Sequence, residues 1–140
     1  MLGLLGDPER CQVVLVTLPE ETPVNELVET AYQLEDRVGV SLGPVVVNGL
    51  YPELTGLDVD PQAAADAAGS SLRPGEAESL AAAARFRLDR MALQAEQVER
   101  LREALPLPQL RLPYLFDAEL GPEQLDELAD AVLAGVDGLA

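Results

Sequence analysis

Two short β-branched runs separated by one amphipathic helix constrain this sequence more than any other feature. Residues 12–18, Gln-Val-Val-Leu-Val-Thr-Leu, are closed by Pro19, and residues 44–48 read Pro-Val-Val-Val-Asn. Near-continuous runs of this kind suit strands buried on both faces. Between them, Val24, Leu27, Val28, Ala31, Leu34 and Val38 recur at the spacing of a single helical face. Thr22 is placed to cap that helix with Pro23 at its first position, and Gly39 to end it. Residues 40–43 are then a short link. Residues 12–48 therefore read as one βαβ unit, with two parallel strands joined by a right-handed crossover.

From residue 49 to residue 74 the chain is an irregular connection, punctuated by Tyr51-Pro52, Gly56, Asp60-Pro61, Gly69-Ser70-Ser71 and Pro74-Gly75, with room for a short helix from Gln62 to Ala68. Residues 75–105 contain no proline, and no glycine after Gly75. Ala, Leu, Glu, Gln and Arg dominate them, which predicts a helix roughly 45 Å long. Ala81, Ala84, Leu88, Met91, Ala95, Val98 and Leu105 form a narrow apolar seam, interrupted at Arg102. Such a seam fits a long surface helix. Phe86, Leu93 and Leu101 extend it, which fits a coiled-coil or partner-binding helix. Pro106 and Pro108 stop the helix, and a third strand is expected from Gln109 to Leu115, with Pro113 at a sheet edge or where the strand leaves the sheet. Pro122 opens a last helix whose Leu125, Leu128, Ala129, Val132, Leu133 and Val136 share a face. The expected architecture is α/β: a single domain over 1–140, with a partial parallel sheet of about three strands, covering helices and one long helix. Three strands are few for a doubly wound sheet, so this reads as one end of a larger one.

Composition removes whole classes of chemistry. Of 140 residues, 25 are acidic and 9 basic, giving a net charge of −16, with 48 % apolar residues. That apolar share places the charge on the surface of a folded body rather than in a disordered tail. The acidic excess repels the phosphate backbone, so nucleic acid is not an expected partner. All the basic residues are arginine; without lysine there is neither a Schiff base nor a P-loop lysine within the chain. Without histidine there is no Ser-His-Asp triad, Cys-His pair or histidine metal site. Cys11 is alone, which excludes an internal disulfide and a CxxC motif and suits a reducing, cytoplasmic setting. No run of about 18 apolar residues could span a membrane, and the N-terminal MLGLLGDPER lacks the form of a signal peptide.

In open parallel sheets, ligands gather beyond the carboxyl ends of the strands. Three segments leave strands here: Pro19 to Thr22, Asn48 to Tyr51, and Pro113 to Phe116. The Asn48 carboxamide offers a donor and an acceptor side by side, matching the edge of a base such as adenine; a strand-terminal Asn also bonds to its own loop backbone. Glu20 and Glu21 could form an acid–base pair, but two carboxylates without a further constellation fit solvation or a helix N-terminal charge better. Tyr51 and Tyr114 are each open to packing or to base stacking.

Residues 13–53, from Val-Val-Leu-Val-Thr-Leu-Pro-Glu through Val-Val-Val-Asn-Gly-Leu-Tyr-Pro-Glu, resemble the part that follows the catalytic strands in ArsA/Get3-type anion-transporting ATPases, most closely their actinobacterial branch. The Val-Thr-Leu-Pro-Glu strand exit, the Glu29-Thr30 pair and the Val-Val-Asn strand end recur in that order. The long Arg- and Gln-containing helix, Leu112-Pro113-Tyr114 and the Glu119-Leu120-Gly121 segment leading to Leu125 extend the resemblance to roughly residues 7–136. It implies the C-terminal end of a P-loop NTPase fold of the SIMIBI type, in a family of dimeric ATPases that use Mg-ATP. It further implies that Asn48 recognises adenine, with Pro113 and Tyr114 in a loop closing over the base. In that family the P-loop, switch segments and catalytic aspartate lie upstream of the matched region. Residues 49–60 also lack the CxxC pair through which some members share zinc across a dimer.

The expectation is thus a C-terminal fragment contributing adenine recognition and helical coupling to ATP-driven anion or membrane-protein handling, with no catalytic or metal-binding residue of its own. Its partner would be the N-terminal P-loop part of the same ATPase or a homologous subunit, or a second copy in a homodimer. ATP would bind the isolated chain weakly. The alternative is a stand-alone helical dimerisation or protein-interaction module with no nucleotide role.

Overall fold

In the computed structural model, which describes residues 7–139, the strand Val45–Leu50 (β4) runs through the middle of a three-stranded parallel sheet. The ends of the 1–140 span, including the first six residues of MLGLLGDPER, lie outside the described residues. One neighbour of β4 is Val16–Thr17 (β2), paired Val16 to Val46 and Thr17 to Val47. The other is Gln109–Pro113 (β5), paired Val46 to Leu110. A second, two-stranded parallel sheet joins Gln12–Val13 (β1) to Ser41–Leu42 (β3).

The expected single strand over 12–18 is therefore split in two, and the expected link over 40–43 contains a strand. Pro44 accounts for the break. It has no N–H to donate, and the partner run carries one extra residue as the ladder resumes: Gly43 donates to the Val13 carbonyl (2.9 Å) and Val46 to that of Leu15 (2.8 Å).

The first helix, α1, spans Glu21–Gln33, beginning before the expected Thr22 cap. Its N-cap is Glu20, in extended conformation and without a side-chain capping bond. Pro23 falls within the first turn, where backbone N–H groups have no helical partner to lose. The helix widens into a π-turn at Leu34–Val38, with Gly39 N bonded to the Leu34 carbonyl, and stops at Gly39, whose φ of 71° is the left-handed conformation glycine adopts without penalty. The short helix α2, Pro61–Ala67, is capped by the Asp60 carboxylate, which accepts from Ala63 N at 2.9 Å. The long helix α3 spans Glu76–Ala104, and α4 spans Pro122–Asp137.

The core lies on one side of the sheet. Val45 and Val47 of β4 pack with Val24, Leu27 and Ala31 of α1 and with Val98, Leu101 and Leu105 at the end of the long helix. The packed seam of α3 differs from the expected one. Ala84, Met91, Val98 and Leu105 are in it, but Arg87, Gln94 and Leu101 alternate with them, while Leu88, Ala95 and Arg102 face outward. Leu101, expected as a surplus apolar residue, is 1 % exposed. Phe86 and Leu93 do lie open, at 66 % and 55 %.

The opposite face is half covered. Partners across a ladder share a side of the sheet, so Val16, Val46 and Leu110 point the same way. Leu110 is buried under α4, where Gly135 leaves the room: a Cβ there would stand 2.9 Å from Leu110 Cδ2. The approach turns Gln124, Leu128, Ala131 and Gly135 toward the sheet, not the broader apolar face expected; Leu125 and Leu133 remain open to solvent. Among the described residues, nothing covers this face over β2, and Val16 is 63 % exposed. β2 is also an outer edge, and Val14 and Leu18 beside it are exposed as well.

Candidate functional site

The carboxyl ends of β2, β4 and β5 emerge together. Asn48 is the fourth residue of β4 rather than its end, because the strand continues through Leu50. The ladder to β5 shifts register between Val47 and Leu50, and Gly49, with φ of 83°, absorbs the extra residue. Asn48 is exposed, and among the described residues its carboxamide joins no side-chain hydrogen bond. It lines an open groove of about 390 Å³ between the β2 edge and α1, together with Thr17, Leu18, Pro23, Glu26 and Thr30.

Pro113 closes β5 opposite Leu50, so the strand ends two residues before the expected Leu115. Tyr114 then donates its backbone N–H to the Leu50 carbonyl at 2.7 Å. A Cβ on Gly49 would lie 3.7 Å from the Tyr114 ring and 3.8 Å from Leu18 Cδ2. The three strand exits thus meet around Gly49, and Pro113, Tyr114 and the residue next to Asn48 belong to one cluster.

The tyrosines pack with each other. Tyr114 lies 4.7 Å from Phe116 and 5.1 Å from Tyr51 between ring centroids, and Tyr51 lies 5.1 Å from Phe116. The guanidinium of Arg87 sits over Tyr51 at 4.5 Å and over Phe116 at 4.6 Å, and donates to the Pro52 carbonyl at 2.8 Å. Tyr114 keeps 45 % of its surface exposed, so one part of it is still open to a ligand.

Glu20 and Glu21 do not form an acid–base pair. Glu20 bonds to Arg90 of the long helix, and Glu21 lies exposed in the first turn of α1, where a negative charge favours the helix dipole.

Arg87, Gln94 and Phe116 were not among the expected binding residues, yet they complete this cluster. Gln94 is 4 % exposed; it accepts from Tyr51 N at 2.8 Å and donates to the Gly49 carbonyl at 3.0 Å. The available signal was a polar residue recurring at seven-residue spacing in an otherwise apolar seam, at 87 and 94.

The groove suits a neutral planar base better than a phosphate chain. Its charged lining residue is Glu26, and the nearby Arg90 is already paired with Glu20. Among the described residues, no group of three or more carboxylates or thiols is arranged to hold a metal ion. No helix among the described residues is long and apolar enough to cross a membrane.

No family model matches the sequence. Over 139 residues, 99 % of the chain, it is 30 % identical to a protein of Halobacterium salinarum assigned as an arsenical pump-driving ATPase. The chain spans 17 % of that protein's length. The match supports an ArsA-like relationship, and the small parallel sheets with one long helix agree with part of a P-loop NTPase-like fold.

Proposed function

We propose that this chain works as the C-terminal part of an ArsA-like ATPase, supplying the surface that recognises the adenine base while the phosphates are bound and hydrolysed by P-loop sequence outside it. The carrying observation is the open side of the sheet. Among the described residues, β2 is an unpaired edge, its Val16 is 63 % exposed, and no layer covers the apolar face behind it. Soluble α/β sheets cover both faces, so this edge and face call for further strands and helices. The P-loop part of the same ATPase, or a homologous subunit, is the partner that would bring them, in the cytoplasm.

Division of labour follows from the charges. Phosphoryl transfer relies on positioning and on cationic stabilisation of the phosphates, and the lysine-free, acidic chain offers neither. Its own contribution is the exposed Asn48 carboxamide, with Pro113 and Tyr114 beside the same strand exit.

Calorimetric titration of the chain with Mg-ATP, alongside a phosphate-release assay, tests this. Weak association and no turnover are expected; tight binding or hydrolysis by these residues alone would remove the division of labour. A second reading has its own support: Phe86 and Leu93 remain exposed on one stretch of α3, as a helical dimerisation or interaction module requires. Light scattering that shows a concentration-dependent dimer, abolished by Phe86→Glu, would favour it.

A further inference from the structure

We propose that Gln94, on the long helix, is the positioning residue that aims Asn48 out of the sheet; this assignment rests on the base-recognition reading above. The physical problem it solves lies at Gly49. The register shift between Val47 and Leu50 leaves β4 one residue longer than its partner there, and Gly49, at a φ of 83°, populates positive and negative φ about equally, so the residue alone does not fix this conformation. A bulge built on glycine does not hold its own shape. If it turned, Asn48 immediately before it would point elsewhere.

Gln94 removes that freedom from outside the sheet. Its Nε2 donates to the Gly49 carbonyl at 3.0 Å and its Oε1 accepts from Tyr51 N at 2.8 Å, so one planar carboxamide brackets Leu50 as a residue of a parallel neighbour strand would. The side chain is 4 % exposed, so the two bonds compete with little water and each partner would be costly to leave unpaired. Two turns away on the same helix, Arg87 holds the Pro52 carbonyl and lies between the rings of Tyr51 and Phe116. The long helix therefore grips residues 49–52 at two heights, while Asn48 itself stays exposed and free of side-chain hydrogen bonds among the described residues.

The test uses the full chain, labelled with ¹⁵N, and two probes: adenosine, and purine riboside, which keeps the ring and lacks the exocyclic amine. In the unsubstituted protein, adenosine is expected to shift the Asn48 carboxamide signals and to bind about fivefold more tightly than purine riboside, the worth of one hydrogen bond. In Gln94→Met the Asn48 response should vanish and the ratio fall to about one, with amide signals changed at Gly49 to Tyr51 and little altered in the helices away from the bulge. A mere loss of stability would weaken both probes alike and leave the ratio alone. Gln94→Glu keeps the acceptor and loses the donor, so it should give an intermediate ratio, and it carries the test should the methionine variant not fold. If both variants keep the full ratio, Gln94 does not position Asn48 and the base-recognition reading stands. If adenosine leaves Asn48 unmoved in the unsubstituted protein, that reading falls and takes this assignment with it.

Discussion

Leu101 and Leu93 lie on the same helix and are the same residue, yet one is 1 % exposed and the other 55 %. Replacing each with alanine isolates the packing of α3 from its helix propensity. Leu101→Ala removes three carbons from the cluster of Val24, Leu27, Val45, Val47, Val98 and Leu105. At about 0.8 kcal/mol per buried methylene the transfer loss is about 2.4 kcal/mol, and the cavity raises the cost to about 3–4 kcal/mol. For a chain of this size that lowers the thermal midpoint by roughly 10 °C and takes a large share of a stability of ~7–20 kcal/mol. Leu93→Ala should stay within about 0.5 kcal/mol. Urea unfolding followed by far-ultraviolet circular dichroism measures both, and the slope against urea should be the same for the two variants. Equal losses would refute the reasoning. If the Leu93→Ala loss also grew with protein concentration, the outer side of α3 would be covered by a second copy, and the interaction-module reading would gain.

Three further outcomes follow from particular contacts. Asp60→Ala removes the cap of a seven-residue helix and should cost about 1 kcal/mol, read as faster amide exchange over residues 61–67 before any global change. Gly49→Ala meets ordinary contacts at 3.7 and 3.8 Å, so its penalty should come from the positive φ alone, about 1–2 kcal/mol in a denaturant titration. The hydrogen bond from Arg102 holds the Glu99 carboxyl below the usual carboxylate range. A depressed carboxyl contributes stability above its unfolded pKa and loses it as pH falls through the folded value. Because both side chains are largely exposed, Arg102→Gln should move its titration, followed by carboxyl ¹³C shifts, up toward the ordinary range while leaving the thermal midpoint nearly unchanged.

The elements of the fold were largely legible because two periodicities announce them. The β-branched runs before Pro19 and up to Asn48 mark strands, and the apolar spacing from Val24 to Val38 marks the first helix. What stayed hidden depends on neighbours. Pro44 splits a strand that it does not belong to, by withholding an N–H from the opposite run. The seam of α3 was misread at its alternate positions because Arg87 and Gln94 are polar, and polar residues enter a packed seam only where backbone groups or aromatic rings await them. Pro113 and Tyr114 were identifiable at a strand exit and the structure groups them with Gly49, whereas Asn48, expected at a strand end, lies within β4 because the bulge at Gly49 carries the strand on to Leu50. Gln94 showed only as a polar residue seven after Arg87, and Phe116 only as the end of a strand exit, since their roles arise from a bulge and an aromatic cluster that form only after distant segments meet.

Every strand pairing in the described chain is parallel, and that dictates an order of events during synthesis. No hairpin can form early to seed the sheet. Closing β2 onto β4 loops out roughly 30 residues, and closing β4 onto β5 roughly 60, so each step sacrifices chain entropy before any contact returns it. The nascent protein would leave the ribosome with β4 lacking its second neighbour until the long helix had been made in full. During that interval the valines of β4 are an adhesive stretch, and a chaperone that holds them, or a helix that forms unusually fast over residues 76–104, would decide how much of the product escapes aggregation.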